Sequence, residues 1–287
     1  MSAHVAPTPL VAARPAVQHV VALLVGREAE ARIRGGLRGR ADVHVVDTCR
    51  ALVSRLREGP AAAVIVEPRD GEGVSTAPTV RRLRGEFPLV PVLAYCPFTQ
   101  PDARDLLAVA QAGVSGLLVR GVDDAGFALD SALASAGDEC TARRAMAELA
   151  RFVAGPARPV LEYCLSHARS APSVLDVARA LGMHPKTLTT RLARAGLPPA
   201  QIVIGWCRLL LAARLMEDVG RPLEQVALHL KFPSGASLRN MLARYTGLRP
   251  SEVRENGGFT CVLFAFRQAI SARGDAEAPP AAEVGAS

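Results

Sequence analysis

Leu175-Asp176-Val177-Ala178-Arg179-Ala180-Leu181-Gly182-Met183, followed by His184 to Ala195, has an echo later in the chain. The echo is Leu223-Glu224-Gln225-Val226-Ala227-Leu228-His229-Leu230-Lys231-Phe232, followed by Pro233 to Thr246. Val177, Ala178 and Leu181 recur 49 positions on as Val226, Ala227 and Leu230. Leu188 and Leu192 recur 50 positions on as Leu238 and Leu242, so the second copy's turn carries one extra residue. Each copy reads as two short helices around a tight turn, with the outer face of the second helix free. That pattern is a helix-turn-helix, whose second helix fits the major groove of DNA. Ser173 with Asp176 three residues on signals a helix start, and Pro222 suits a first helical turn. Gly182 suits a left-handed turn. Lys231 stands at that place in the second copy, so its turn is expected to be strained or built differently.

Between the copies, Pro198-Pro199 opens a helical segment over 200–219. Ile202, Trp206, Leu209, Leu210, Ala213 and Met216 share one face, which is core packing. At about 1.5 Å per residue the segment spans about 30 Å. That approaches the ~34 Å between successive major grooves, so the helix is expected to space two reading heads.

This arrangement resembles the DNA-binding domain of AraC-type transcription regulators. The signature residues stand as Arg208-Leu209-x-x-Ala212-x-x-Leu215-Met216 and as Tyr245-Thr246-Gly247-Leu248-Arg249-Pro250-Ser251-Glu252. The resemblance covers 159–256, an all-helical domain, and implies binding to double-stranded DNA. It puts Lys186, Thr189 and Thr190 at base-facing positions of the first reading helix, and Ser237, Arg239 and Asn240 outward on the second. Lysine and arginine can donate to guanine, asparagine suits adenine, and a threonine methyl can meet that of thymine. Arg191, Arg208, Arg244 and Arg249 are candidates for phosphate contact, which positions without specifying.

The preceding part, 19–137, alternates strands and helices. Apolar runs at Val20–Val25, Val43–Val46, Ala62–Val66, Val90–Tyr95 and Gly116–Val119 read as buried parallel strands. Helical stretches over 27–37, 48–57, 79–86, 101–111 and 123–136 separate and follow them. The expectation is a flavodoxin-like sheet in the order 2-1-3-4-5. The stretch Ala110-Gln111-Ala112-Gly113-Val114-Ser115-Gly116-Leu117-Leu118-Val119 resembles the end of a response-regulator receiver domain. A receiver's chemistry sits at its strand ends, and here it is largely replaced. Gly26-Arg27 stands where the resemblance implies an acidic pair for magnesium. Glu67 replaces the phosphorylated aspartate, Ala94-Tyr95 the hydroxyl residue and Arg120 the lysine. Little remains to hold a divalent ion, so a pseudo-receiver that takes no phosphate is expected. Glu67, Arg27 and Arg120 are a candidate charge cluster at those strand ends.

Residues 138–158 read as a helical linker, Glu139 to Val153, ending in a hinge at Gly155-Pro156-Ala157-Arg158-Pro159. Val160 to Ala168 supplies the first helix of the DNA-binding part. Residues 257–287 hold an apolar segment, Phe259 to Ile270, outside the resemblance, and then a polar tail. The segment could dock on either domain or form a dimer contact. Residues 1–18 and the tail from Ser271 are expected to be disordered.

Charge agrees with this division. Of the net +7 carried by 287 residues, 1–138 contribute zero, 139–258 contribute +8 and 259–287 contribute −1. Phosphate neutralisation favours that distribution. No apolar run approaches the ~20 residues of a membrane span, and Met1 to Arg14 lacks the features of a secretion signal, so a cytoplasmic protein is expected. The six cysteines form no Cys-x-x-Cys pair and sit at no metal spacing. No metal or cofactor is expected, which also argues against the zinc-dependent DNA-repair proteins that share AraC-type helices. The leading reading is a non-enzymatic, sequence-specific regulator, with a homodimer and RNA polymerase as candidate partners. The alternatives are a phosphorylation-switched regulator and an enzyme on a flavodoxin-like fold. The latter is opposed by the absence of a nucleophile–base pair or a phosphate-binding glycine loop.

Overall fold

The computed structural model describes residues 18–97, 103–153, 155–218 and 220–277, with side chains described as far as 272. Five strands, β1 (Gln18–Leu23), β2 (Ala41–Val46), β3 (Ala63–Val66), β4 (Val92–Cys96) and β5 (Gly116–Val119), form one parallel sheet in the order β2-β1-β3-β4-β5. The helices α1 (Arg27–Gly36), α2 (Cys49–Glu58), α3 (Ala77–Glu86), α4 (Ala103–Ala112) and α5 (Gly126–Leu149) follow the strands in turn. Alternate side chains of β1 go to opposite faces. Val21 and Leu23 join the core under α2, α3 and α4, while Val20 and Ala22 join the core under α1 and α5. The continuous apolar runs are thus explained by burial on both sides. This is the expected flavodoxin-like, receiver-like α/β fold.

The boundaries depart from expectation in three places. Gln18 already belongs to β1, and the strand ends at Leu23, while the remainder of the expected N-terminal disorder lies outside the described residues. The helix expected over 123–136 and the linker helix expected from 139 are one element of 24 residues, α5. Gly137 does not break it. A mid-helix glycine costs only about 1 kcal/mol, and α5 buries Leu129 and Ala136 on one side of it and Cys140, Ala145 and Leu149 on the other. The expected hinge is a single 3-10 turn, Gly155–Ala157, in which Ala157 is fully buried.

The second half of α5 enters the core of the helical domain. Ala142, Ala145, Met146 and Leu149 pack there with residues of α6 (Arg158–Ser166), α7 (Val174–Ala180), α8 (Pro185–Arg194) and α9 (Ala200–Met216). The same core takes in α10 (Leu223–His229), α11 (Gly235–Thr246), α12 (Pro250–Glu255) and α13 (Phe259–Glu277). At 17 residues α9 spans about 25 Å, so its length alone does not reach the groove repeat. It is apolar nearly all round because it lies in the middle of the domain. Arg169 pins α5 to the loop after α6 through both carboxylate oxygens of Asp138 and the carbonyl of Ala134.

The apolar segment after residue 256 is the start of α13, which docks on the helical domain and continues through Ser271 to Glu277. The tail from 278 lies outside the described residues. Phe266 stacks on Trp206 of α9 with ring centroids 5.1 Å apart, and Tyr245 of α11 meets the same indole edge-on at 5.0 Å. Arg267 covers the ring of Phe152, at the end of the α5 segment. Glu217 accepts from the amide of Phe259 at 2.8 Å and from Arg214 at 2.8 Å. Among the described residues no helix is long and apolar enough to cross a membrane.

The 159–256 segment therefore lacks two walls of its own core. Phe266→Ala is expected to destabilise the chain by about 3–5 kcal/mol, read as a fall in the denaturant midpoint. A 159–256 fragment is expected to melt without a cooperative transition, and a 138–277 fragment with one. Cooperative melting of the shorter piece would show that α5 and α13 are dispensable.

Candidate nucleic-acid interface

The two turns that shape the reading heads are superimposable in their bonding. In the first, Gly182 donates to Arg179 O at 3.1 Å and Met183 to Ala178 O at 2.9 Å. In the second, Lys231 donates to Leu228 O at 3.1 Å and Phe232 to Ala227 O at 2.8 Å. Gly182 has φ 61° and Lys231 has φ 55°, so the lysine occupies the left-handed region that glycine occupies in the first copy. The turn is strained, not rebuilt. The extra residue falls after it: His184 caps α8 through its Nδ1, and Ser234, 50 positions on, caps α11 through its hydroxyl. Ser173 and Asp176 form a capping box on α7.

Leu188 and Leu192 of α8, and Leu238 and Leu242 of α11, are buried. Opposite them each helix shows a stripe at i, i+3, i+4, i+7 and i+8. On α8 the stripe is Lys186, Thr189, Thr190, Ala193 and Arg194, all exposed. On α11 it is Ala236, Arg239, Asn240, Ala243 and Arg244, all exposed and each 50 positions on. The structure thus brings Lys186, Thr189, Thr190, Arg239, Asn240 and Arg244 onto two matching faces. The small Ala193, Ala236 and Ala243 keep both faces low between the longer side chains. Arg194 was missed by sequence reasoning, although the 50-residue repeat onto Arg244 was the signal for it.

Other expected residues stand elsewhere. Ser237 is half-buried at the helix start, its amide donating to Ser234 Oγ at 3.2 Å. Arg191 is half-buried beside the stripe, and Arg249 is exposed at the start of α12, where its amide donates to Glu252. Arg208 is turned inward. Its guanidinium lies 3.8 Å from the centre of the Phe232 ring and donates to Leu230 O at 2.9 Å. Burial pulls its pKa below the usual arginine value. The side chain holds the carbonyl of Leu230, just after α10, at the strained second turn.

The hydroxyls on the first stripe are already satisfied. Thr189 donates to Pro185 O and Thr190 to Lys186 O, each at 3.0 Å, which leaves their methyl groups and acceptor lone pairs outward. The donors of Arg239 and Asn240 make no hydrogen bond within the described residues.

At the strand ends of the sheet, Glu67 is buried at 6% exposure. One carboxylate oxygen accepts from the amide of Val25 at 2.8 Å, and the other accepts from Arg120. Arg120 in turn lies 5.2 Å from the centre of the Tyr95 ring. Tyr95 donates to Asp124 Oδ2 at 2.8 Å, as does the amide of Gly121 at 2.9 Å, and Arg32 approaches the same carboxylate at 3.8 Å. Burial, with Asp124 beside it, pushes the Tyr95 phenol well above its ordinary pKa. Of the expected charge cluster, Glu67 and Arg120 meet. Arg27 is exposed and stays outside, because Gly26, at φ 97°, turns the chain into α1 away from the site. Asp124 and Arg32 take part instead, and the Asp123-Asp124 pair after β5 was the sequence sign that went unused.

Residues 177–256 match the family described as a helix-turn-helix domain. Similar curated proteins include the HTH-type transcriptional regulators Mb1430 of Mycobacterium bovis and Rv1395 of Mycobacterium tuberculosis. Each is 34% identical over 86 residues, 30% of this chain and 25% of the relative. The chain thus spans about a quarter of the length of these relatives. Similar solved structures include full-length FixJ from B. japonicum, with TM-score 0.36, 15% identity, and coverage of 81% of this chain and 98% of that one. A DNA complex of the two-component response regulator RcsB has TM-score 0.35 and 13% identity, with coverage of 79% and 98%. Residues 177–256 of this chain are thus similar to a helix-turn-helix domain, and they follow an α/β domain with a parallel sheet in the order β2-β1-β3-β4-β5.

Proposed function

We propose that the chain is a sequence-specific, DNA-binding transcription regulator whose receiver-like domain takes no phosphate. The observation that carries this reading is the pair of matching exposed stripes on α8 and α11. Each combines small residues, which permit approach, with cationic or amide side chains that suit base edges and phosphates. Selecting bound fragments from the source genome with the full chain tests it. No preference over random competitor at moderate salt would overturn it.

The stripes divide by role. Arg239 and Asn240 have free donors for guanine and adenine, Thr189 and Thr190 offer methyls to thymine, and Arg194, Arg244 and Arg249 meet phosphates. Leu107 on α4, Leu117 on the edge strand β5, Val122 after it and Phe127 on α5 are exposed, and they offer a second copy an apolar contact. RNA polymerase is the further partner that such a regulator would meet at a promoter.

The Glu67 carboxylate is engaged by the Val25 amide and Arg120, so the place of an acceptor aspartate is taken by an internally neutralised side chain. Incubation with acetyl phosphate and magnesium is expected to leave the intact mass unchanged. A stoichiometric gain of one phosphoryl group would restore the phospho-switch reading.

Arg239→Ala is expected to cost about 1–3 kcal/mol on the selected site and to relax preference at one base position. Equal weakening on all sequences would make Arg239 a phosphate contact. Arg244→Ala is expected to lower the slope of log affinity against log salt by about 1. Arg208→Ala should leave that slope unchanged and lower the melting temperature. A slope change for Arg208→Ala would return it to the phosphate set.

A further inference from the structure

Where the turn between α3 and β4 meets the C-terminal half of α5, the fold forms a half-open pocket of about 140 Å³. Three arginines line it, Arg84 from the last turn of α3 and Arg143 and Arg144 from α5. Much of the remaining wall is apolar, formed by Phe87, Val90, Val92 and Ala147. The Ser115 hydroxyl and the Cys140 thiol, 3.0 Å apart, close one side.

The positive charge here is only partly answered. Among the described residues Arg84 has no carboxylate partner. Its guanidinium lies against Gly113, where a Cβ would come within 1.8 Å of Nη1 and where φ is 97°. Glycine at 113 is what leaves Arg84 room beside the cavity. Arg143 and Arg144 are held by Glu139 at 2.9 Å and Glu148 at 2.8 Å. Both are ion pairs between residues four apart on one helix, a class that is weak in water and readily exchanged for a better-placed anion. A guanidinium fork suits a carboxylate bidentately, and the apolar part of the wall suits a hydrocarbon body better than the remaining oxygens of an inorganic phosphate.

We propose that this cavity binds a small organic monocarboxylate, with its head on the three arginines and its body against Phe87 and Val92. The turn that forms one wall also joins the two domains. Leu89, between Phe87 and Val90, packs against the helical core, and its carbonyl accepts from Arg214 of α9 at 3.2 Å. An occupant therefore braces the contact between the sheet domain and the helix that separates the two reading heads. This site is independent of the DNA-binding reading, and its occupancy is measurable without DNA.

Calorimetric titration of the full chain with acetate, butyrate and hexanoate, and with inorganic phosphate for comparison, tests the proposal. One saturable site is expected, with affinity rising from acetate to butyrate and reaching a Kd of about 1 mM or tighter. Arg84→Gln is expected to weaken butyrate at least ~tenfold, the loss of one charge-assisted pair. Ala147→Met is expected to abolish binding by filling the cavity. Arg84 and Ala147 are both exposed, and an unchanged melting temperature in each variant shows that the fold is retained. No saturable heat with any carboxylate overturns the proposal, as does phosphate binding as tightly as butyrate, or unaltered butyrate affinity in Arg84→Gln.

Discussion

One helix belongs to two cores, and most of the molecule's behaviour follows from that. The first half of α5 buries Leu129 and Ala136 against the sheet. The second half buries Ala142, Ala145, Met146 and Leu149 among the helices of the C-terminal half. Burying one large aliphatic side chain is worth about 1.5–3 kcal/mol. Glycine at 137 opposes this by about 1 kcal/mol, so the helix runs through. A continuous helix cannot act as a swivel. The turn that follows it is no looser, since Val153 and Ala157 are buried, and Arg169 clamps the loop after α6 to Asp138 and Ala134. The two halves are held in one arrangement by apolar area and by a guanidinium whose hydrogen bonds span both.

The strand ends of the sheet satisfy a different constraint. Buried carboxylates need partners, since an unpaired charge in a low-dielectric interior is costly. Glu67 reaches both the Val25 amide after β1 and Arg120 after β5. Asp124 is met by Tyr95 and by the Gly121 amide. The Arg120–Tyr95 contact joins the two groups. Every strand end around the site except β2's thus contributes to one connected set, which leads from β3 to the loop that starts α5. In the proposed reading, a chain that takes no phosphate keeps this set closed, and α5 stays fixed at its N-terminal end.

The sheet was legible because strands buried on both faces write continuous apolar runs, and because the alternation with helices leaves one economical topology. The reading heads were legible because Val177, Leu188 and Leu192 have counterparts in Val226, Leu238 and Leu242, and a repeat survives without knowledge of the fold. What failed was local evidence overruled by distant packing. Gly137 looks like a break from within its own window, and only the two cores show why it is tolerated. Phe259 to Ile270 is apolar in any window, but its partner, Trp206, is more than fifty residues away. Arg208 carries a signature position, yet a motif does not reveal which side of α9 it leaves. Asp124 finds Tyr95 across the sheet, a pairing with no local trace.

The unequal bracing of the two heads has a physical sense. A lysine in the left-handed region costs on the order of 1 kcal/mol relative to glycine. The second head offsets that with Phe232 seated under Arg208, with Arg208 bound to Leu230 O, and with Glu224 accepting from the Gly235 amide at 2.7 Å. The first turn has the unstrained Gly182 and a half-buried Met183 in place of the buried Phe232. The outward chemistry differs in the same direction. Hydrogen bonds to base edges weaken steeply with misalignment, so in the proposed role Arg239 and Asn240 would need a helix that does not shift. Methyl contacts from Thr189 and Thr190, whose hydroxyls are occupied within α8, tolerate small displacements because apolar burial is non-directional. The head that would read by direction is the one that is tied down, and the head that would read by contact is left with a glycine turn.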